Sequence, residues 1–373
     1  MIGLFSFFAG AGFLDLGFEM TGQYKTLFVN EFKESFNRIY RYSRKKMGIP
    51  EPRYGHHVGD IAAWLTDPTC NSQLQSWVKE SRNDPNIELV GFIGGPPCPD
   101  FSVAGKNKGR EGDNGKLSQT YVDLICNIKP DLFVFENVKG LYRTAKHRAF
   151  FETLKVQLSK AGYVMAEHLI NSIEFGAPQD RDRIILVGFK KSLSKKLLFK
   201  TSGVEICNFD WNKHKLYQRD VFSLDWPTTS PYKENGTIAM PAGIIPELTV
   251  EYWWEKNDVS HHPNSDMFFK AKAGLHRFQT KDEGDVEKKC YKRLHRWRYS
   301  PTAAYGNNEV HVHPYLPRRI SVAEALAIQS LPAEYEIPHD ITLTDAFKTI
   351  GNGVPYVAAK GIALNIYDFI HKK

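Results

Sequence analysis

The sequence predicts an α/β fold: a mostly parallel sheet covered by helices on both faces, followed by a smaller second domain. Three observations predict it. In the first half, short β-rich apolar runs alternate with amphipathic stretches, the βαβα rhythm that builds a parallel sheet. A glycine-rich turn directly follows the first apolar run, and ligands of such sheets bind at the carboxyl ends of the strands. From about Lys190 the alternation stops, and Lys, Trp, Tyr and His mix with turn signals such as Trp226-Pro227 and Asn235-Gly236.

Strands are expected over residues 3–8, 25–30, 89–93, 131–135, 163–170 and 183–189, each an apolar run rich in β-branched or aromatic residues. Helices are expected between them, over 14–20, 32–46, 119–128 and 147–161, where apolar residues recur at helical spacing. After Arg318 a helix is expected over 321–329, with Ser321 as N-cap and Glu324 completing a capping box. A last amphipathic helix, 354–370, follows Gly351-Asn352-Gly353.

The composition excludes several classes. With 42% hydrophobic and 24% charged residues in a chain of 373, this is neither a disordered tail nor a collagen nor a coiled coil. The five cysteines (Cys70, Cys98, Cys126, Cys207, Cys290) form no CxxC pair and no zinc-type grouping with histidine, so no metal site is expected. They predict reduced thiols and an intracellular setting, cytoplasmic in a bacterium or nuclear in a eukaryote. The apolar run at residues 2–13 is preceded by no Lys or Arg and is interrupted by Asp15 and Glu19, which argues against a signal peptide or a membrane span. Of the net charge of +7, five units lie within residues 190–317, a local surplus suited to approaching a polyanion.

Three places carry chemistry. Phe8-Ala9-Gly10-Ala11-Gly12-Phe13 follows the first strand and opens a helix, so its backbone can approach a ligand at a helix N-terminus. Asp15 occupies the position of the third glycine of a nicotinamide fingerprint, which excludes that reading. Glu31, 19 residues after Gly12, stands where an acid receives ribose hydroxyls, and Asp60 ends a third short strand, suited to accept from an adenine amino group. In Gly94-Gly95-Pro96-Pro97-Cys98-Pro99-Asp100-Phe101-Ser102, three prolines hold one thiol rigidly at the end of the fourth strand. Glu136 ends the apolar strand Leu132-Phe133-Val134-Phe135, where desolvation favours a protonated carboxyl.

With Glu136-Asn137-Val138, Gln179-Asp180-Arg181-Asp182-Arg183, Gln329-Ser330-Leu331-Pro332 and Gly351-Asn352-Gly353-Val354-Pro355 following in this order, the chain resembles the DNA cytosine-5 methyltransferases. The resemblance covers nearly everything outside residues 190–310. It implies a Rossmann-like, S-adenosylmethionine-dependent methyltransferase domain made of residues 1–189 and a returning segment 336–373. A smaller target-recognition domain would span 190–335, its recognition part 190–317 and its last motif 318–332. Cys98 would add to cytosine C6, Glu136 would donate at N3, Arg183 would face the base O2, and Arg181 would help to organise Cys98, Glu136 or phosphate. The cofactor pocket would comprise Phe8, Ala9, Gly10, Gly12, Phe13, Leu14, Glu31, Asp60, Ile61, Pro96, Asn352 and Val354.

Duplex DNA is the implied partner, with the cytosine flipped out of the stack. Residues 105–116 read as a mobile loop closing over it. The expected DNA contacts are Ser102, Lys106, Lys108, Arg110, Arg293, Arg296, Arg298, Asn307 and Asn308, with residues 288–298 as a phosphate-binding cluster and Ser300-Pro301-Thr302 and residues 306–309 as readers of base edges. Trp211, Trp226, Trp253, Trp254 and Trp297 are expected in the core, and His311 and His313 on one face of a strand. The sequence departs from the family pattern at Phe13, where a glycine is common, and at Pro99, where a glutamine usually follows the cysteine. The implied protein is a monomer, acting as a solitary methylase or as the modification enzyme of a restriction–modification system whose endonuclease acts separately. A tRNA cytosine-5 methyltransferase and a non-catalytic DNA-binding regulator are the alternatives.

Overall fold

The computed structural model describes residues 1–97, 113–271, 275–306 and 309–372. Seven strands dominate: β1 (Ile2–Phe7), β2 (Tyr24–Glu31), β3 (His56–Val58), β4 (Leu89–Gly94), β5 (Leu132–Val138), β6 (Tyr163–Asn171) and β7 (Asp182–Lys190). With the two-residue strands β8 (Thr201–Ser202) and β9 (Glu205–Ile206) they form one sheet, ordered β3-β2-β1-β4-β5-β7-β6-β9-β8. The first five strands run parallel, as the alternation predicts. β7 lies antiparallel between β5 and β6, because the short link from β6 to β7 can reverse the chain but cannot cross over a sheet face.

The strand expectations hold because these runs are buried on both faces. β1 has no exposed residue, and β5 sends Phe133 and Phe135 to one core and Leu132 and Val134 to the other. The main helices are α1 (Phe13–Glu19), α2 (Glu34–Lys46), α3 (Pro68–Asn83), α4 (Asp113–Ile128), α5 (Ala145–Lys160), α6 (Val250–Lys256), α7 (Val322–Ile328), α8 (Leu343–Asn352) and α9 (Tyr356–His371). α9 returns to pack on α1 so closely that a Cβ on Gly17 would lie 2.4 Å from the Ala359 Cβ. α3 and α8 went unanticipated, although Asp67 accepts from the Thr69 and Cys70 amides, with Pro68 opening α3, and Thr342 caps α8. The expected capping box forms, with Ser321 and Glu324 exchanging hydrogen bonds.

The boundary expected at residue 190 falls inside the sheet region. β9 pairs with β6, and Leu197, Ile206 and Phe209 complete the core beneath α9. A further core joins Ala11, Phe13, Leu16 and Ile39 to Trp253, Trp254, Leu326, Tyr335 and Phe347, so it crosses the boundary expected at residue 335 as well. Trp226 is also buried, whereas Trp211 and Trp297 are half-buried. Among the described residues no helix is long and apolar enough to cross a membrane.

Candidate active site

The glycine-rich loop leaves β1 through three left-handed residues, Phe8 (φ 54°), Gly10 (φ 57°) and Gly12 (φ 77°), a conformation that persists only when its surroundings over-determine it. The surroundings do so. The Gly10 amide donates to Glu31 Oε2 at 2.8 Å and the Lys33 amide to Glu31 Oε1 at 2.9 Å. Arg44 Nη2 donates to the Gly12 carbonyl at 2.7 Å, and the Tyr335 hydroxyl to the Ala11 carbonyl at 2.7 Å. The Tyr40 ring lies against Gly12, where a Cβ would meet it at 2.4 Å. Arg44, Tyr40 and Tyr335 were not anticipated, because nothing local in the sequence marks their contact with this loop.

Adjacent parallel strands therefore present Phe8, Ala9, Gly10 and Gly12 after β1, Glu31 at the end of β2, Asp60 and Ile61 after β3, and Pro96 after β4. Burial raises the Glu31 pKa, against the amides and Lys33 that lower it. Asp60 is exposed and caps its own turn, accepting from the Ala62 amide at 2.9 Å. Ile61 packs in the core below, while Leu14 and Val354 join the core on the other face. Phe13 turns away from the loop opening into the third core, edge-on to Tyr335. Asn352 ends α8 with its side chain exposed.

Further along the same edge, β5 and β7 pair Glu136 with Ile185 and Val138 with Arg183. This brings Arg183 Nε to 2.7 Å from Glu136 Oε1, both side chains being buried. The N–H is not aimed at the oxygen, so neither atom has a hydrogen-bond partner among the described residues. Burial raises the Glu136 pKa, opposed by Arg183 and then Arg181. Gly95 faces the same carboxyl: a Cβ there would lie 2.5 Å from Glu136 Oε2. The Asn137 side chain donates through Nδ2 to the Pro96 carbonyl at 3.3 Å, which ties the Glu136 strand to the segment leading into Cys98. Cys98 itself, with Pro99, lies outside the described residues.

Arg181, expected to help organise Cys98, Glu136 or phosphate, lies inside the protein behind Glu136. Its guanidinium is fully buried and donates to the carbonyls of Ala303 (3.0 Å) and Gly351 (2.7 Å) and to Gln179 Oε1 (3.4 Å). It therefore clamps three segments together, because these acceptors close around it. Gln179 donates to Gln329 Oε1 at 3.0 Å and accepts from the Ala303 amide at 3.0 Å, while Gln329 donates to the carbonyls of Ile350 and Gly353. Motifs far apart in sequence thus meet through buried amides.

Several expected DNA contacts are corrected. Arg293 is fully buried, donating to the carbonyls of Phe278, His313, Pro314 and Leu316, and burial pushes its pKa down to about 10. Arg296 is buried in a two-pronged pair with Glu283, at 2.9 Å on each prong. Neither faces solvent, so neither reaches a phosphate. Ser300 is also buried, and Thr302 is exposed but donates to the Asp180 carbonyl. Arg298 is half-buried, donating to the Pro227 carbonyl at 3.2 Å. His311 and His313 both face the core, the first near Ser300 and Tyr305, the second against Trp254 and Tyr315. Lys116, expected in a loop, lies in α4. Ser102, Lys106, Lys108, Arg110, Asn307 and Asn308 lie outside the described residues.

A family model described as C-5 cytosine-specific DNA methylase matches residues 2–368. The chain is 58% identical over 367 residues to the type II methyltransferase M.NmeDI of Neisseria meningitidis serogroup C, covering 98% of this chain and 84% of that protein. It is 27% identical to the type II methyltransferase M.FnuDI of Fusobacterium nucleatum, covering 98% and 95%. Among solved structures, a DNA modification methyltransferase encoded within an E. coli prophage superposes over the full length of both chains with a TM-score of 0.66 at 21% identity. The Dnmt2 methyltransferase of S. pombe does so with a TM-score of 0.59 at 12% identity, covering 98% and 99%.

Proposed function

This chain belongs to the C-5 cytosine-specific DNA methylase family, and from that premise we propose how its residues divide the work of methylating cytosine in DNA. The observation that carries the reading is the buried Glu136–Arg183 pair at the carboxyl edge of the sheet, tied through Asn137 to the segment entering Cys98.

Cytosine C5 is a poor nucleophile until something adds to C6. The Cys98 thiolate forms that bond, and the displaced electron pair moves toward N3 and C5. Glu136, kept protonated more readily by burial, donates its proton at N3 and stabilises the enamine. Arg183, whose Nε pairs with Glu136, holds the base O2. Once C5 carries the methyl group, N3 returns its proton to Glu136 and the C5 proton passes to a base, so that the Cys98 sulfur leaves and the aromatic ring is restored. Arg181 acts as a positioning residue, holding the segments around Glu136 and Arg183.

Members of this family use S-adenosylmethionine, and the residues here fit it. Gly10 turns left-handed with no side chain in the way, and the buried Thr349 hydroxyl facing it has no partner among the described residues. Phe8, Gly10, Gly12, Glu31, Asp60, Asn352 and Val354 would hold the cofactor, with Glu31 receiving the ribose hydroxyls and Asp60 the adenine amino group. When bound, it supplies the electrophilic methyl group that C5 takes.

The type II relatives favour a modification enzyme acting on a specific duplex sequence over a tRNA methyltransferase or a silent regulator. In this reading the enzyme is a monomer of the bacterial cytoplasm, with its restriction endonuclease acting separately. The test has two stages. Mapping 5-methylcytosine in a host that lacks it but expresses this chain identifies the target. A duplex carrying 5-fluorocytosine at that position should then trap the protein covalently through Cys98, only with S-adenosylmethionine present, since the C5 fluorine cannot leave as a cation. Cys98→Ser should trap nothing. Methylation of ordinary cytosine without any trapping would overturn the C6 adduct.

A further inference from the structure

The structure buries Arg293 and Arg296, which removes both from contact with the phosphates of the duplex, and the carboxyl edge of the sheet carries other cations. Directly after Glu136 and Val138 the chain makes one 3-10 turn (Lys139–Tyr142) and enters α5. Because α5 returns antiparallel to the strands, its N-terminus stands at the carboxyl edge that holds the Glu136–Arg183 pair. Arg143 and Lys146 are exposed there. Neither has an acidic partner among the described residues.

The acids around them are already neutralised. Asp182 is answered by Lys139 at 2.8 Å and Arg219 at 3.1 Å. Glu167 is answered by Lys155 at 2.6 Å and Arg148 at 3.6 Å, and Glu152 by Arg148 at 3.1 Å and Lys155 at 2.9 Å. The charges of Arg143 and Lys146 are therefore surplus.

Their position is also locally unfavourable. A helix N-terminus carries partial positive charge and is stabilised by acids and opposed by cations. α5 has no acid in its first turn, while Arg143, Lys146 and Arg148 crowd it. Local rules broken in this way mark places where an outside partner supplies the compensation. The compensating partner is an anion, and the anion that this edge must meet is the DNA backbone.

We propose that Arg143 and Lys146 form a contact surface for the DNA phosphates flanking the extruded cytosine. The proposal rests on the reading of the Glu136 edge as the base site. A flipped nucleotide leaves its own phosphates displaced from the helical path, and two cations beside the base site hold them without reading sequence.

The test is the salt dependence of binding to a mixed-sequence duplex, measured for the wild type, for Arg143→Ala/Lys146→Ala and for Lys160→Ala. Lys160 is an exposed cation at the far end of α5, about 21 Å along the helix from Lys146. Each phosphate contact contributes about 0.9 to the slope of log affinity against log salt. The double variant should thus lose about two units of slope. Between about 50 and 200 mM salt the wild type should lose roughly twelvefold more affinity than the double variant. Lys160→Ala should keep the wild-type slope. Equal slopes in wild type and double variant would overturn the contact surface while leaving the catalytic reading intact. A wild type that binds no duplex at all would count against both.

Discussion

The ring of Phe13 fills the space over Gly353, where a Cβ would come within 2.2 Å of its Cδ2. Gly353 has φ −64° and ψ 153°, a conformation open to any residue, so close approach alone requires the glycine. The aromatic ring of Phe13, which stands where a glycine is common in the family, and the missing side chain of Gly353 are thus two halves of one contact, beside the residues assigned to the cofactor.

Adding a methyl group in Gly353→Ala should therefore overpack the site and destabilise the protein by about 1–3 kcal/mol. Combining it with Phe13→Ala should recover that amount relative to the sum of the single variants. Denaturant unfolding of the four proteins in a double-mutant cycle measures it. Simple additivity would mean that Phe13 moves aside without cost.

A methyl group at Gly95 should act on chemistry more than on stability. Its Cβ would lie 2.5 Å from Glu136 Oε2, so the carboxyl must shift from its place beside Arg183. A displacement of about 1 Å at a reacting group can cost about 100-fold in rate, and Gly95→Ala should show a loss of that order in single-turnover methylation. DNA affinity should stay close to that of the wild type. Full turnover in Gly95→Ala would show that the carboxyl has freedom to spare.

The pH profile should report Glu136. Burial raises its pKa, and Arg183 is the first of the two cations pulling it back. The protonated carboxyl is the form that donates at N3, so activity is lost as pH rises through its pKa. Arg183→Gln removes the larger restraint and lifts that pKa further, which should move the alkaline limb of the residual activity to higher pH. A limb that stays in place in this slower variant would mean that another group sets it.

How much of this was legible beforehand follows from what each residue type can signal. Buried strands announce themselves through uninterrupted apolar runs, so the strands around Phe5 and Phe92 were located to within one residue, whereas the strand around Phe133 runs three residues beyond its expected end because Glu136 and Asn137 interrupt the apolar run. α3 was missed because only Leu74, Val78 and Ser81 are fully buried along it, too sparse a stripe to show as a period. Glu136 was legible through the Glu136-Asn137-Val138 motif of the family resemblance, and its place after an apolar strand fits the role that the resemblance implies. Arg44 and Tyr335 were not, because they reach the glycine-rich loop from elements distant in sequence.

By itself the sequence determined the order of the strands along the chain, the chemistry available at their carboxyl ends, and the surplus of positive charge. The tertiary structure alone decided which charges remain available. Arg293 and Arg143 are the same residue type in comparably basic stretches, yet backbone carbonyls close around Arg293 while Arg143 stays in solvent. A formal charge is a property of composition. Whether it can meet a phosphate depends on which acceptors the fold has already brought to it.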